Sequence, residues 1–235
     1  MSFATDLEAE VKRIFRQQWV TSNATVVPEA SAIALEKNEA KTIDEGTVLY
    51  ADLSGSTNMV QNYPPHFAAE VYRAYLYSAA QIIRNEGGGI TAYDGDRVMA
   101  VFMGEAPNTN AATAALKINH AVKNIVNPAI TAQYGTRIVY NVKQVVGVDR
   151  SSLWVARTGV RGDNDLVWVG RAANFAAKLT DISNDDASFI TGDVYDRLLD
   201  SAKYKTGTTT PMWRERQWSQ MNNMRIYSSN WAWTP

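Results

Sequence analysis

Two aspartates stand where carboxylates could hold divalent cations. Asp52 lies near the end of the apolar run 47–53, and Asp96 lies in the Asp-Gly-Asp turn 94–96 between two further apolar runs. Side chains alternate along a strand, so Tyr50 and Asp52 are expected on the same face. A pair of carboxylates can hold two metal ions for phosphoryl or nucleotidyl transfer. The alternatives are that Asp52 caps the helix that follows it and that Asp96 only forms a turn.

A third polar group lies on a helix predicted for 171–179. Asn174 and Lys178 are four residues apart in the sequence. This spacing places them about 40° apart around a helix axis. An amide beside an ammonium could hold a ribose ring and neutralise charge that develops on a transferred phosphoryl group. The alternative is an ordinary solvated polar face.

The composition narrows the classes of protein. The 235 residues carry a formal net charge of −1 and include two histidines and no cysteine. This excludes a disulfide framework, a thiolate zinc site and a multi-histidine metal site, and there is no basic surplus for duplex nucleic acid. The start of the chain lacks the apolar segment of a signal peptide, and no apolar run approaches the length that spans a bilayer. We expect a cytoplasmic protein that binds neither nucleic acid nor membranes.

Periodicity and turn residues predict a mixed order of helices and strands. Helices are predicted for 6–20, 66–85, 110–126, 171–179 and 193–200. Strands are predicted for 47–53, 90–94, 97–103, 137–149, 152–161, 165–169, 188–191 and parts of 212–233, with hairpins joining 90–94 to 97–103 and 137–149 to 152–161. The β-α-β-β-α-β order predicts an α+β fold, an α/β sandwich of ferredoxin-like topology with a C-terminal extension.

The three polar groups, in this order on a strand end, a hairpin turn and a helix, resemble the class III nucleotidyl cyclases. The matching segments are 52–57 (DLSGST), 95–102 (GDRVMAVF) and 170–179 (GRAANFAAKL). The resemblance covers residues 46–200. It implies that Asp52, Asp96 and the backbone carbonyl of Leu53 hold two divalent ions, Mg²⁺ or Mn²⁺.

On the helix, the resemblance implies that Asn174 orients the ribose. Lys178 stands where the family has an arginine that binds phosphate in the transition state, so the charge is kept but the bidentate fork is lost. The resemblance also implies a homodimer with composite active sites, in which one protomer supplies the acids and its partner supplies the helix. We expect an N-terminal helical segment, 1–43, followed by a cyclase catalytic domain, 44–235.

Two departures from the family pattern bear on the base of the substrate. Purine cyclases commonly read the base with a lysine and an aspartate at the positions of Ala92 and Val167, and neither polar group is present. A purine would find no matching hydrogen-bond partner there, and such losses discriminate strongly. Tyr50 could instead stack on a base, and Arg97 could donate to a pyrimidine carbonyl. The alternatives are a core aromatic residue and a solvent-facing hairpin residue.

This combination resembles the pyrimidine cyclases of bacterial Pycsar antiphage systems. The resemblance implies conversion of UTP to 3′,5′-cyclic UMP and pyrophosphate, as an alarm signal that a separate cyclic-nucleotide effector protein reads. Three alternatives stay open. They are a cytidylate cyclase acting on CTP, a purine (adenylate or guanylate) cyclase that reads the base with other residues, and a cyclase-like binding module without activity.

Overall fold

The computed structural model describes residues 2–182 and 186–235. Its helices are α1 (Phe3–Arg16), α2 (Ser56–Asn62), α3 (Pro65–Asn85), α4 (Pro107–Ala121), α5 (Asn127–Tyr134), α6 (Arg171–Thr180), α7 (Gly192–Asp196) and α8 (Asp200–Lys203). Its strands are β1 (Val20–Asn23), β2 (Glu39–Ser54), β3 (Gly89–Asp94), β4 (Arg97–Phe102), β5 (Lys143–Val160), β6 (Asp163–Val169), β7 (Ser188–Thr191), β8 (Arg214–Trp218) and β9 (Met224–Ser229). A π-helical turn, Val122–Val126, joins α4 to α5.

The strands of the described residues form one mixed sheet in the order β3-β4-β2-β5-β7-β9-β8. β2 lies between β4 and β5 and runs antiparallel to both, whereas β5 runs parallel to β7. β1 pairs with the first residues of β2, and β6 pairs with the second half of β5. The α+β class and the β-α-β-β-α-β order predicted from the sequence are confirmed.

The side chains of β2 alternate between the two faces of the sheet and enter two different hydrophobic cores. Leu49, Ala51 and Leu53 are buried in the larger core, which includes side chains of α3 and α4. Val48 is buried on the opposite face, in a smaller core that includes Ala172, Ala173 and Ala176 of α6. The alternation predicted for 47–53 is therefore confirmed, and it places Asp52 on the α6 side of the sheet.

The hairpin predicted from the strands 137–149 and 152–161 is wrong. A single strand, β5, covers Lys143–Val160, and the chain reverses after it at Gly162, where φ is +96°. The polar residues around Asp149 resembled a turn. They lie within a strand because Asp149 is fully buried and finds its hydrogen-bond partners on distant parts of the chain.

Three predicted helices differ from the structure at their ends. The helix predicted for 6–20 ends at Arg16, because Val20 begins β1 and pairs with β2. The helix predicted for 110–126 begins at Pro107 and passes into the π-helical turn. The helix predicted for 193–200 is divided into α7 and α8, and the chain between them buries Leu198 in the larger core.

The predicted division into 1–43 and 44–235 falls within β2, which begins at Glu39. Within the first segment, Ile33 and Ala40 are buried, whereas α1 buries none of its residues against the described parts of the chain. None of the helices among the described residues combines the length and the apolar character needed to cross a bilayer.

Candidate active site

Asp52 and Arg97 lie opposite each other on neighbouring strands. They are a register pair of β2 and β4, and Arg97 Nε donates to Asp52 Oδ1 over 3.0 Å. The Asp52 side chain is 14% exposed. Burial raises the pKa of Asp52, and the charge of Arg97 opposes that rise. The carboxylate is thus a mostly buried anion that one guanidinium contact only partly neutralises.

Asp96 reaches the same end of the sheet from the turn between β3 and β4. Gly95 adopts a left-handed φ of +58°, which lets the chain reverse between Asp94 and Asp96. Asp96 directly precedes Arg97, and its negative charge raises the pKa of Asp52 further. The structure therefore brings the two acids predicted from the sequence together beside one guanidinium.

Tyr50 lies two residues before Asp52 on the same face of β2. Its ring is partly buried against the smaller core. Burial raises the pKa of Tyr50, the charge of Asp94 reinforces this rise, and the charge of Arg97 opposes it. Tyr50 therefore interacts electrostatically with Asp94 and Arg97, and Arg97 interacts in turn with Asp52 and Asp96.

Leu53 contributes its side chain to the larger core, on the face opposite Asp52. β2 pairs with β4 as far as Asp52 and Arg97, but it continues beside β5 through Ser54. The main chain at Leu53 therefore lies beyond the last pair with β4. This position follows Asp52 near the end of the strand, where the family resemblance places a main-chain metal ligand.

Asn174 and Lys178 both lie on the exposed side of α6. The opposite side of the helix is buried against the sheet and includes Ala172, Ala176 and Leu179. The shared helix face predicted for Asn174 and Lys178 is confirmed. Neither side chain makes a hydrogen bond or an ion pair with another residue in 2–182 or 186–235. The structure thus points both groups away from their own sheet.

Close packing fixes α6 against β5. A Cβ atom at Gly147 would lie 2.1 Å from the backbone oxygen of Ala176 and 2.8 Å from Leu179 Cβ. Contacts this short do not occur between real atoms, so the approach of the helix depends on the absence of a side chain at Gly147. The depth at which α6 sits on the sheet is therefore determined by this glycine.

An ion-pair network that the sequence did not reveal holds the first turn of α6. Arg171 donates from Nε to Asp149 Oδ2 over 3.1 Å and from Nη2 to Asp193 Oδ2 over 2.7 Å. Asp149 is fully buried and also accepts a 2.7 Å hydrogen bond from Thr191 Oγ1. Burial raises the pKa of Asp149, and Thr191 and Arg171 oppose the rise. The network ties the helix that carries Asn174 to β5 and β7.

Asp181 is a second residue that sequence reasoning missed. It follows the last residue of α6, and its charge raises the pKa of Asp52 and that of Arg97. The end of α6 therefore approaches the acidic pair. No local pattern marks Asp181, because its relation to Asp52 depends on how the helix lies across the sheet.

The oxygen donors at the end of β2 suit hard divalent cations. Two carboxylates and a neighbouring main-chain carbonyl match the ligands of Mg²⁺ and Mn²⁺, and Mg²⁺ commonly completes its shell with substrate phosphates and water. The mostly buried charge of Asp52, met by a single 3.0 Å contact, is consistent with a site that accepts a cation. The described residues contain no cluster of three or more His, Asp or Glu side chains that could hold a metal ion. Main-chain, phosphate or water oxygens would therefore have to complete the coordination shell.

Comparison with known proteins identifies the family. No protein-family model matches the chain. It is 49% identical over 234 residues to a uridylate cyclase of Burkholderia cepacia, with 100% of each chain covered. It is 50% identical over 233 residues to a uridylate cyclase of Xanthomonas perforans, with 99% of each chain covered. Among solved structures, the guanylyl cyclase Cya2 matches with a TM-score of 0.67 at 18% identity, over 83% of this chain and 95% of that one.

The first two similarities cover 100% and 99% of this chain. The third shows that the fold is that of a cyclase catalytic domain. The sequence resemblance and the architecture thus agree. The chain is a nucleotidyl cyclase and belongs to the uridylate cyclases of the class III family.

Proposed function

We propose that the enzyme converts UTP to 3′,5′-cyclic UMP and pyrophosphate in a metal-dependent reaction. The observation that carries this proposal is the convergence of Asp52 and Asp96 beside Tyr50 and Arg97. The 3′-oxygen attacks the α-phosphorus in line, and the bond from that phosphorus to the bridging oxygen breaks. Pyrophosphate leaves, and the proton of the 3′-hydroxyl passes to solvent.

Asp52, Asp96 and the backbone carbonyl of Leu53 would hold two Mg²⁺ or Mn²⁺ ions. When bound, the ions would lower the pKa of the 3′-hydroxyl and neutralise charge on the phosphates. Asp52 Oδ1 accepts a hydrogen bond from Arg97 Nε, and a cation held by the same carboxylate would repel the guanidinium and weaken this contact. The cation would then neutralise the carboxylate, and the Arg97 guanidinium would be available to the substrate.

Tyr50 and Arg97 are the residues that we assign to the base. The Tyr50 ring would stack on the pyrimidine, and Arg97 would donate to a carbonyl of uracil. The positions where purine cyclases carry polar readers hold Ala92, which is partly buried, and Val167, which is 40% exposed. Apolar side chains there leave the polar edge of a purine without partners. The names of the two whole-length relatives support uracil over cytosine.

The active site would be completed by a second copy of the chain. Asn174 and Lys178 are exposed and point away from their own sheet. In a twofold homodimer they would face the acids of the partner, where Asn174 would orient the ribose and Lys178 would neutralise charge on the α-phosphate. Lysine provides this charge without the bidentate geometry of arginine.

We also propose a cellular role, in which the cyclic nucleotide is an alarm signal during phage infection. A separate effector protein with a cyclic-nucleotide site would read the product in the cytoplasm. This role rests on the resemblance to Pycsar cyclases. Measurement of cyclic UMP in infected and uninfected cells tests it, and an unchanged level during infection would contradict it.

One assay separates the proposed reaction from its alternatives. The purified enzyme is incubated with an equimolar mixture of ATP, GTP, CTP and UTP and with Mn²⁺, and the cyclic products are identified by mass spectrometry. We expect cyclic UMP to dominate. Predominant cyclic CMP would make the enzyme a cytidylate cyclase, and predominant cyclic AMP or GMP would refute the assignment of Tyr50 and Arg97. Absence of all four products under conditions where a known cyclase is active would favour a binding module.

A further inference from the structure

The hydroxyl of Tyr75, on helix α3, is buried without a partner among the described residues. Tyr75 is 0% exposed, and its hydroxyl oxygen makes no hydrogen bond with any residue in 2–182 or 186–235. Leaving a polar group unsatisfied in a core costs free energy, and a phenylalanine would fill nearly the same space without that cost. The presence of the hydroxyl therefore calls for an explanation in its surroundings.

The core that contains Tyr75 extends to the acidic end of the sheet. Helix α3 packs against β2, β3 and β4. Tyr75 shares the larger core with Ala51 and Val98, which are both fully buried. Ala51 and Val98 are a register pair of β2 and β4, and the next pair along these strands is Asp52 and Arg97. The last buried pair of this core is thus followed directly by the pair that contains a proposed metal ligand.

Both acids of the site act on Tyr75 through the sheet. Burial raises the pKa of Tyr75 well above its usual value, and the negative charges of Asp52 and Asp96 raise it further. The hydroxyl is therefore protonated at neutral pH and serves as a hydrogen-bond donor. The field of two carboxylates attracts the positive end of an O–H dipole, so it favours a donor that points towards the acids.

A single water molecule is the group that can join this hydroxyl to the acids, because neither carboxylate lies within hydrogen-bond distance of it. A water accepts one hydrogen bond from Tyr75 and donates one each to Asp52 and Asp96, and about three polar partners are typical of a buried water. Arg97 contacts Oδ1 of Asp52, which leaves Oδ2 to accept from the water.

We propose that Tyr75 is a positioning residue of the metal site, whose hydroxyl holds the carboxylates of Asp52 and Asp96 through one bridging water. The inference rests on the metal-dependent reaction of the proposed function and adds to its site a residue from the core on the α3 side of the sheet. Hydrogen-bond partners of this kind fix the orientation of metal-ligating groups, and their removal typically lowers metal affinity about 10–100-fold. Tyr75 acts on the two acids and touches neither the substrate nor the reacting atoms.

Tyr75→Phe tests the role of this one hydroxyl, because the variant keeps the ring. Calorimetric titration of the metal-free protein with Mn²⁺, without nucleotide, measures the dissociation constant, which we expect to rise at least about tenfold. The urea midpoint of the metal-free variant should not rise, since the lost hydroxyl was satisfied by water, whereas loss of an unsatisfied hydroxyl would raise it. A change of less than about twofold in the dissociation constant, or a raised midpoint, would overturn the proposal.

The matched control is Tyr63→Phe. The Tyr63 hydroxyl donates to the backbone oxygen of Val139 over 3.0 Å, so this variant also loses one tyrosine hydrogen bond. We expect it to lower the urea midpoint and to leave Mn²⁺ binding unchanged. Equal weakening of Mn²⁺ binding in both variants would contradict the proposal, because it would show a general response of the core.

The same titrations separate the role of Tyr75 from the metal site itself. If the unmodified enzyme binds no Mn²⁺, the metal site of the proposed function is refuted, and the role of Tyr75 falls with it. If the unmodified enzyme binds Mn²⁺ and Tyr75→Phe binds it equally well, only the role of Tyr75 is refuted.

Discussion

Arg97 Nε lies 3.0 Å from Asp52 Oδ1, so the guanidinium assigned to the base sits directly on a carboxylate assigned to the metal. A divalent cation on this carboxylate would repel the guanidinium beside it. Metal binding and release of Arg97 are therefore coupled in the proposed mechanism. The Arg97 side chain, which is 38% exposed, has room to turn towards a substrate once it is released. Recognition of the base would then follow loading of the metal site.

Arg97→Ala should change metal binding in two opposite ways. Near neutral pH, Mn²⁺ should bind more tightly because no guanidinium beside Asp52 repels it. In acid, the variant should lose Mn²⁺ at a higher pH than the unmodified enzyme. Burial already raises the pKa of Asp52, and removal of Arg97 removes the main charge that opposes the rise. Calorimetric titration with Mn²⁺ without nucleotide, between about pH 5 and pH 8, measures both effects. Superimposable pH profiles for the two proteins would contradict the coupling.

Asp52→Asn should abolish turnover and leave the fold intact or slightly more stable at neutral pH. The pKa of Asp52 is raised in the folded protein, chiefly by burial, so its ionised form is disfavoured by folding. Protonated Asp52 stabilises the folded state at pH values below the pKa that the group has in the unfolded chain. This contribution is lost as the pH rises through the higher pKa that it has in the folded protein. At neutral pH, the unfolding free energy of the variant should be about 1 kcal/mol larger, because the neutral amide replaces a charge that folding disfavours.

The gain from Asp52→Asn should vanish in acid, where Asp52 is protonated in both the folded and the unfolded protein. Urea unfolding at neutral and acidic pH measures it. Asp94→Asn, at the exposed end of β3 beside the site, is the matched control and should change neither stability nor turnover appreciably. A large loss of stability in Asp52→Asn would show that Asp52 has a structural role instead.

Arg171→Ala should destabilise the fold more than Asp193→Ala. Its loss leaves Asp149 fully buried without its guanidinium, which typically costs about 3 kcal/mol. Asp193 is half exposed, so its removal should change stability by less than about 0.5 kcal/mol. The penalty of Arg171→Ala should shrink in acid, because Asp149 then binds a proton and no longer carries a buried charge. Denaturant unfolding of both variants at two pH values tests this order, and equal losses would refute it.

Local patterns in the sequence were sufficient for the parts of the site that lie on regular elements. Alternation along 47–53 placed Tyr50 and Asp52 on one face, and the structure agrees because one side of β2 meets α6 and the other meets α3 and α4. Helical spacing placed Asn174 and Lys178 together on the exposed side of α6. These features depend on neighbouring residues, so periodicity reveals them.

Features that depend on distant partners could not be predicted in this way. Asp149 resembled a turn residue, yet its guanidinium partner lies 22 positions later and its hydroxyl partner 42 positions later. Asp52 and Arg97 likewise lie 45 positions apart in the sequence, and their 3.0 Å contact depends on the register in which β2 and β4 pair. Polar residues within a strand are stable when such partners neutralise them, and a single sequence does not show where the partners will fall.

Mixing two inactive variants tests the composite active site. Asp52→Asn removes a metal ligand, and Lys178→Ala removes the cation that should act on the substrate of the partner. In a heterodimer of the two, one active site carries both lesions and the other carries none. Random mixing should therefore restore about a quarter of the unmodified activity, since half of the dimers are mixed and each has one intact site. Steady-state production of the cyclic nucleotide after denaturation and refolding of the mixture measures this recovery.

The matched control is a mixture of Asp52→Asn with Asp96→Asn. Each chain of the heterodimer then carries one lesion among its own acids, so each active site lacks one carboxylate and activity should stay absent. Recovery in the first mixture but not in the second is the pattern that a composite site requires. If mass spectrometry detects heterodimers in the first mixture and no activity returns, Lys178 acts within its own chain. The exposed face of α6 would then need another explanation, because Asn174 and Lys178 point away from the sheet that carries Asp52.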